Sequence, residues 1–160
     1  MCYSNKDIER NMKGILLVSL VLSALFSCQN DCKDVLCFTP PRAYNFELIG
    51  KSSGNDLLAA GPYSYNQISV IDNETNKSVT FNRTGNDSIK LIQFDMIGWK
   101  TEVVDYQVTI ADSIHFGLYV DATRTNENCC SFTRYNDIKI EDTEYKLDSL
   151  TGIYKIFIRE

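Results

Sequence analysis

One histidine, one tryptophan and three prolines stand among 160 residues, and no run of basic residues occurs anywhere. A Ser–His or Cys–His mechanism therefore has only His115 to use. That residue lies beside Phe116 in an apparent strand, where an ordinary surface histidine is the simpler reading. With residues 1–27 set aside, the charge is 13 − 19 = −6, which makes nucleic acid and anionic headgroups poor electrostatic partners. There is no G-x-S-x-G, no H-E-x-x-H, no P-loop and no glycine-rich dinucleotide turn. The nineteen acids left after residue 27 give many pairs, and spacing along the chain selects none as the facing carboxylates of a glycosidase. Asp72-Asn73-Glu74 lacks the order of a calcium loop and reads as a solvated turn. No catalytic residue, metal or cofactor is expected.

What is present begins with Gly14–Phe26, thirteen uninterrupted apolar or small residues with Lys13 in front and Ser27-Cys28 behind. Spanning a bilayer takes about 20 apolar residues. A basic start, a short apolar stretch and a small residue before the cut make a secretory signal peptide instead. Residues 1–11 are polar and read as upstream sequence, with Met12-Lys13 the expected start.

The ending Leu25-Phe26-Ser27-Cys28 resembles the bacterial lipoprotein signal, although Phe26 is bulkier than the usual residue there. That resemblance implies cleavage before Cys28 and acylation of its sulfur and its new amino end. Each buried methylene of such chains is worth about 0.8 kcal/mol, and two or more chains anchor stably. Gln29 rather than Asp after the lipidated Cys favours the outer membrane under the lipoprotein sorting rule. Asp31 and Asp34 resemble the signal that carries Bacteroidota lipoproteins to the cell surface, with the periplasmic face as the alternative.

Beyond Cys28 four cysteines remain: Cys32, Cys37, Cys129 and Cys130. An even count in an exported domain suggests two disulfides, with three possible connectivities. The adjacent pair is unlike the C-x(2–4)-C pairs of zinc sites, and neither pair offers the C-x-x-C of a redox motif. Adjacent cysteines in a strand point to opposite faces. At least one long-range bridge is therefore expected, from Cys37 to Cys129 or Cys130, clamping the N-terminal segment to the C-terminal third.

Residues 28–43 read as the lipidated tether, ending in Thr39-Pro40-Pro41-Arg42, where two prolines exclude helix. From residue 44 to 160 the pattern has period two: Tyr44–Leu48, Gln67–Val70, Val79–Asn82, Ser88–Phe94, Val104–Ile110, His115–Val120, Ile138–Ile140, Tyr145–Leu147 and Ile153–Ile158. Such alternation argues for strands with one buried face. Turn chemistry falls between them at Asp72–Lys77, Arg83–Asp87 and Ser149–Gly152, and Leu57–Ala60 suits one helical turn. The spacing predicts an all-β protein, an antiparallel β-sandwich of seven to nine strands, immunoglobulin-like in general shape, after a cleaved signal helix. A closed lipocalin-type barrel with a ligand cavity is the competing architecture.

Among candidate binding residues the aromatics stand out. Tyr63 and Tyr65 follow Gly61-Pro62, and Trp99 follows Gly98 at a strand edge. Exposed rings on a sandwich stack against sugar faces, whereas buried ones simply contribute area to the core. Asp87-Ser88-Ile89, Asp112-Ser113-Ile114 and Asp148-Ser149-Leu150 resemble the Asp-Ser/Thr-apolar motif of Bacteroidota O-glycosylation, making Ser88, Ser113 and Ser149 candidate acceptors. An Asp-Ser pair also ends a turn naturally before an apolar strand residue.

The lipoprotein signal, the Cys-rich tether ending in proline and the stretch Phe46–Leu58 together resemble a group of small, uncharacterised Bacteroidota lipoproteins over about residues 12–60. The resemblance implies location and class and supplies no site. The function expected is a non-enzymatic binding or interaction module at the cell envelope, held to the membrane by covalent lipid, with an outer-membrane complex or a glycan as partner. A carbohydrate-binding or glycan-degrading accessory protein and a lipocalin-like carrier of a small hydrophobe are the alternatives.

Overall fold

Successive side chains on a strand point to opposite faces, so an alternating run buries one face and wets the other. The computed structural model describes residues 37–127 and 129–159, and there the rule is clearest in the strands over residues 68–72, 102–110, 114–122 and 153–158. The signal peptide, Cys28 and Cys32 lie outside the described residues. The strands are β1 (Cys37–Phe38), β2 (Tyr44–Gly50), β3 (Ile68–Asp72), β4 (Lys77–Ser78), β5 (Asn82–Gly85) and β6 (Lys90–Phe94). They continue with β7 (Glu102–Ile110), β8 (Ile114–Glu127), β9 (Cys130–Glu141), β10 (Glu144–Leu147) and β11 (Ile153–Ile158).

One sheet has the order β1-β9-β8-β7-β3-β4 and the other β10-β11-β2-β6-β5. Their inner faces meet in a single core that draws Tyr44, Phe46 and Leu48 from β2, Val108 and Ile110 from β7, Phe116, Leu118 and Val120 from β8, and Ile156 from β11. Phe46 joins the layers: its ring lies 5.3 Å from Phe116 of the opposite sheet, 5.5 Å from Tyr154 and 6.0 Å from Phe94. The molecule is thus the all-β sandwich that the alternation predicts. The described strands form two open sheets and do not close into a barrel.

The sheets are mixed rather than purely antiparallel. β2 and β11 run parallel from Asn45↔Ile153 to Gly50↔Ile158, and β1 runs parallel to the start of β9. There are also more strands than expected, because β1 and β4 have two residues each and carry no alternation to read. Val79 and Phe81, expected within a strand, instead pack against the core where the chain crosses from β4 to β5.

The expected turns are present. Asp72 accepts the Glu74 and Thr75 N–H groups and closes the β3–β4 hairpin. Gly85 has φ 108°, and an added Cβ would sit 2.1 Å from the Ile89 carbonyl oxygen, so the β5–β6 turn requires glycine. Asp56 organises the Leu57–Ala60 turn: its carboxylate accepts the N–H of Leu58 and Ala59, and its carbonyl accepts that of Ala60.

Residues 37–43 pack with the strands that follow them. A disulfide joins Cys37 to Cys130 across the parallel β1–β9 pair, with 4.5 Å between Cα atoms. This is the long-range clamp expected from the cysteine pattern, with Cys130 as the partner. Cys129 is also disulfide-bonded.

Between β1 and β2 the chain is fastened by Arg42. Its guanidinium lies over the ring of Tyr44 at 4.7 Å and near those of Tyr135 and Tyr154, and it donates to the Tyr154 hydroxyl. The Arg42 N–H donates to the Tyr135 hydroxyl. The Tyr44 hydroxyl is fully buried and has no hydrogen-bond partner among the described residues; burial pushes its pKa well above the ordinary value. An unpaired buried hydroxyl costs desolvation energy and returns nothing. Tyr44→Phe is therefore expected to leave stability unchanged or raise it by about 1 kcal/mol. Thermal unfolding measures this, and a clear loss would reveal a partner for that hydroxyl.

Candidate functional site

The most exposed aromatic surface lies where β1 meets the β6–β7 loop. Phe38 is 58% exposed and Trp99 45% exposed, and their rings stack with centroids 5.8 Å apart and planes 28° from parallel. Large apolar rings are normally covered, so two exposed rings in contact make this patch the candidate site.

Each ring is held from behind. Phe38 follows the disulfide-bonded Cys37, and the next residue, Thr39, donates its N–H to the Ser131 carbonyl. The Arg124 guanidinium lies 5.1 Å from the Phe38 ring centroid while donating to the Thr39 carbonyl and the Thr133 hydroxyl. Trp99 is fixed by its own indole N–H, which donates to the Asp95 carbonyl. The residue before it, Gly98, has φ 92°; a Cβ there would come within 2.8 Å of Thr133, so only glycine lets the loop approach β9 this closely. Gly98 donates its N–H to Glu102 and accepts the Thr133 hydroxyl. The platform is thus preorganised, and a partner meeting it orders little.

The other expected residues are dispersed. Tyr65 is partly buried and donates its hydroxyl to the carbonyls of Thr84 and Leu91, tying its 3-10 turn to β5 and β6. Tyr63 is partly buried and packs against the core. Of the three aromatics singled out in the sequence, Trp99 presents the most open ring. Ser88, Ser113 and Ser149 are exposed, each in the turn before β6, β8 and β11 respectively. His115 is exposed on β8, its Nδ1 2.9 Å from the Thr109 hydroxyl on β7.

Among the described residues two carboxylates are buried, Glu47 and Asp56. Both Asp56 oxygens are engaged by backbone N–H groups, from Leu58 and Ala59 on one and Lys90 on the other, so this side chain is a structural staple. Glu47 faces Lys155 across the β2–β11 pair at 3.7 Å. Burial pushes its carboxyl pKa upward, and the Lys155 ammonium opposes that. Neither residue lines the shallow depressions beside Glu144 and Phe157, beside Lys146 and Lys155, or beside Ile68 and Asp112, whose rims combine strand and turn residues. The depression beside Phe94, Ile97 and Tyr106 holds about 60 Å³, well short of the several hundred that a small-molecule pocket needs. No group of three or more His, Cys, Asp or Glu side chains among the described residues has the geometry to hold a metal ion.

Phe38 escapes a sequence reading because it sits in the proline-bounded tether, and Arg124 because it extends a strand past its apolar part. The adjacency of Phe38 to Cys37 was the available signal. No protein-family model, curated protein or solved structure matches this chain.

Proposed function

We propose that the chain is an exported, lipid-anchored and non-enzymatic binding module of the cell envelope, attached at the outer membrane through acylated Cys28. The observation that supports this most is the Cys37–Cys130 disulfide, which welds the end of the tether to β9. Disulfides persist in oxidising compartments outside the cytosol, which is where a signal peptide would deliver the chain. The weld also suits an anchored protein mechanically. A pull on Cys28 reaches β9, the second-longest strand of its sheet, through a covalent bond, rather than through a two-residue strand that would peel. The engagement of Asp56 with backbone and of Glu47 with Lys155 counts against a glycan-cleaving role, which needs two carboxyls facing one substrate bond.

The experiment is metabolic labelling with an alkyne-bearing palmitate analogue, followed by membrane fractionation. The expected result is label on the wild-type protein in the membrane fraction and none on Cys28→Ala. An unlabelled wild-type protein would overturn the proposal.

A further inference from the structure

Most of the large apolar side chains left exposed among the described residues gather at one end of the sandwich. Phe38, Met96 (73% exposed), Trp99 and Leu150 (96% exposed) all belong to that end, and Val103 and Leu147 border it. The topology fixes this. At that end β6 finishes and β7 starts, β10 turns into β11, β8 passes into β9, and β1 lies beside the start of β9. The remaining exposed large apolar residues among those described are spread out: Ile89 in the β5–β6 turn, Tyr145 just after the β9–β10 turn and Ile71 on β3.

The apolar end is also the one nearest the anchor along the chain. The nine residues from Cys28 to Leu36 reach at most about 30 Å when fully extended. β8 alone has 14 residues and measures roughly 46 Å at about 3.3 Å per residue. A lipid on Cys28 therefore keeps Cys37, and the rings beside it, close to the bilayer whatever the tilt of the domain.

We propose that this end, carrying Phe38, Met96, Trp99 and Leu150, seats in the headgroup region of the bilayer that holds Cys28. The inference rests on the anchor proposed above. Tryptophan and other aromatic rings favour the interfacial zone, and isolated apolar side chains on turn tips reach below it. Arg124 over Phe38 and the 78%-exposed Lys100, whose ammonium lies 3.7 Å from Glu102, place cations at the rim within reach of lipid phosphates. With a net acidic chain and no basic run, attachment at this end comes from rings and apolar tips, so it does not require anionic lipid. Docking would fix the orientation of the domain and turn the β7–β8 end outward.

Trp99 is the only tryptophan, so its emission reports on this patch alone. Protein isolated from cells is combined with phosphatidylethanolamine–phosphatidylcholine vesicles carrying a nitroxide near the headgroup. The expected result is a blue shift of Trp99 emission and quenching by the nitroxide. Both should disappear in Phe38→Ser/Leu150→Ser, whose altered side chains are exposed and whose folding is checked by circular dichroism. Unquenched Trp99 in protein that carries palmitate and floats with the vesicles would overturn docking while leaving the anchor standing. Quenching in protein that carries no palmitate would keep the docking and remove the anchor. A Trp99 shift produced by soluble glycans, or by raising protein concentration, with no response to vesicles would overturn docking in favour of a glycan or a second copy.

Discussion

Phe46→Ala should lower the free energy of unfolding by about 3–5 kcal/mol, the range for truncating a large buried aromatic. Phe46 is fully buried on β2, flanked in its sheet by β11 and β6. Its ring meets Phe94 and Tyr154 of the same sheet and Phe116 of the facing one. Alanine would therefore remove contacts within one layer and between the two together, and the strands around it are too well paired to collapse into the space. A domain of this size has only about 5–15 kcal/mol of stability, so this one side chain accounts for a large share. Urea denaturation of the two proteins measures it, with Phe46→Leu as the milder companion. A loss below about 1 kcal/mol would mean that the layers are held elsewhere.

Replacing both partners of the β1–β9 disulfide, as Cys37→Ala/Cys130→Ala, should cost about 4 kcal/mol. The bridge spans a sequence separation of 93, and the loss of loop entropy in the unfolded chain at that length is of this size. The effect has a local part as well. Without the bridge, β1 keeps two residues of parallel pairing, the Thr39–Ser131 hydrogen bond and the exposed contacts of Arg124 and Trp99 with Phe38 and Thr39, a weaker hold against fraying than the covalent bond. Phe38 would then leave Trp99 before the sandwich itself opens. Denaturation measures the global loss, and faster proteolysis at residues 38–43 in otherwise folded protein reads the local one. Unchanged stability with unchanged proteolysis would show that the bridge only decorates a strand that other contacts already hold.

The strands were legible in the sequence wherever one face is buried, because burial on one side imposes period two. Val104–Ile110 lies wholly within β7, and Ile153–Ile158 coincides with β11. What period two does not encode is direction. A strand with one wet face alternates identically whether its neighbour runs parallel or antiparallel, so the β2–β11 pairing was invisible. The ends of long strands were hidden for a related reason. β8 continues from Val120 to Glu127 through Asp-Ala-Thr-Arg-Thr-Asn-Glu, where only Ala122 is buried, and its far part is held by pairing with β9 rather than by the core. The aromatic platform was half legible. Trp99 announced itself as a lone tryptophan after glycine, but the partner ring comes from a segment whose prolines read as mere spacer. Leu150 looked like a turn residue, and only the strand order puts it at the same end as Trp99.

The parallel seam between β2 and β11 sets a timetable for biosynthesis. Tyr44–Gly50 is among the first of these strands to leave the ribosome, and the strand that covers one of its flanks is the last. Contacts this far apart in the chain form late, after a long loop has closed. Every nascent copy therefore passes through an interval in which a seven-residue, mostly apolar ribbon has an uncovered side, open to mispairing with another unfinished chain. Growth temperature and synthesis rate should consequently affect the yield of this protein more than the stability of its finished fold would suggest.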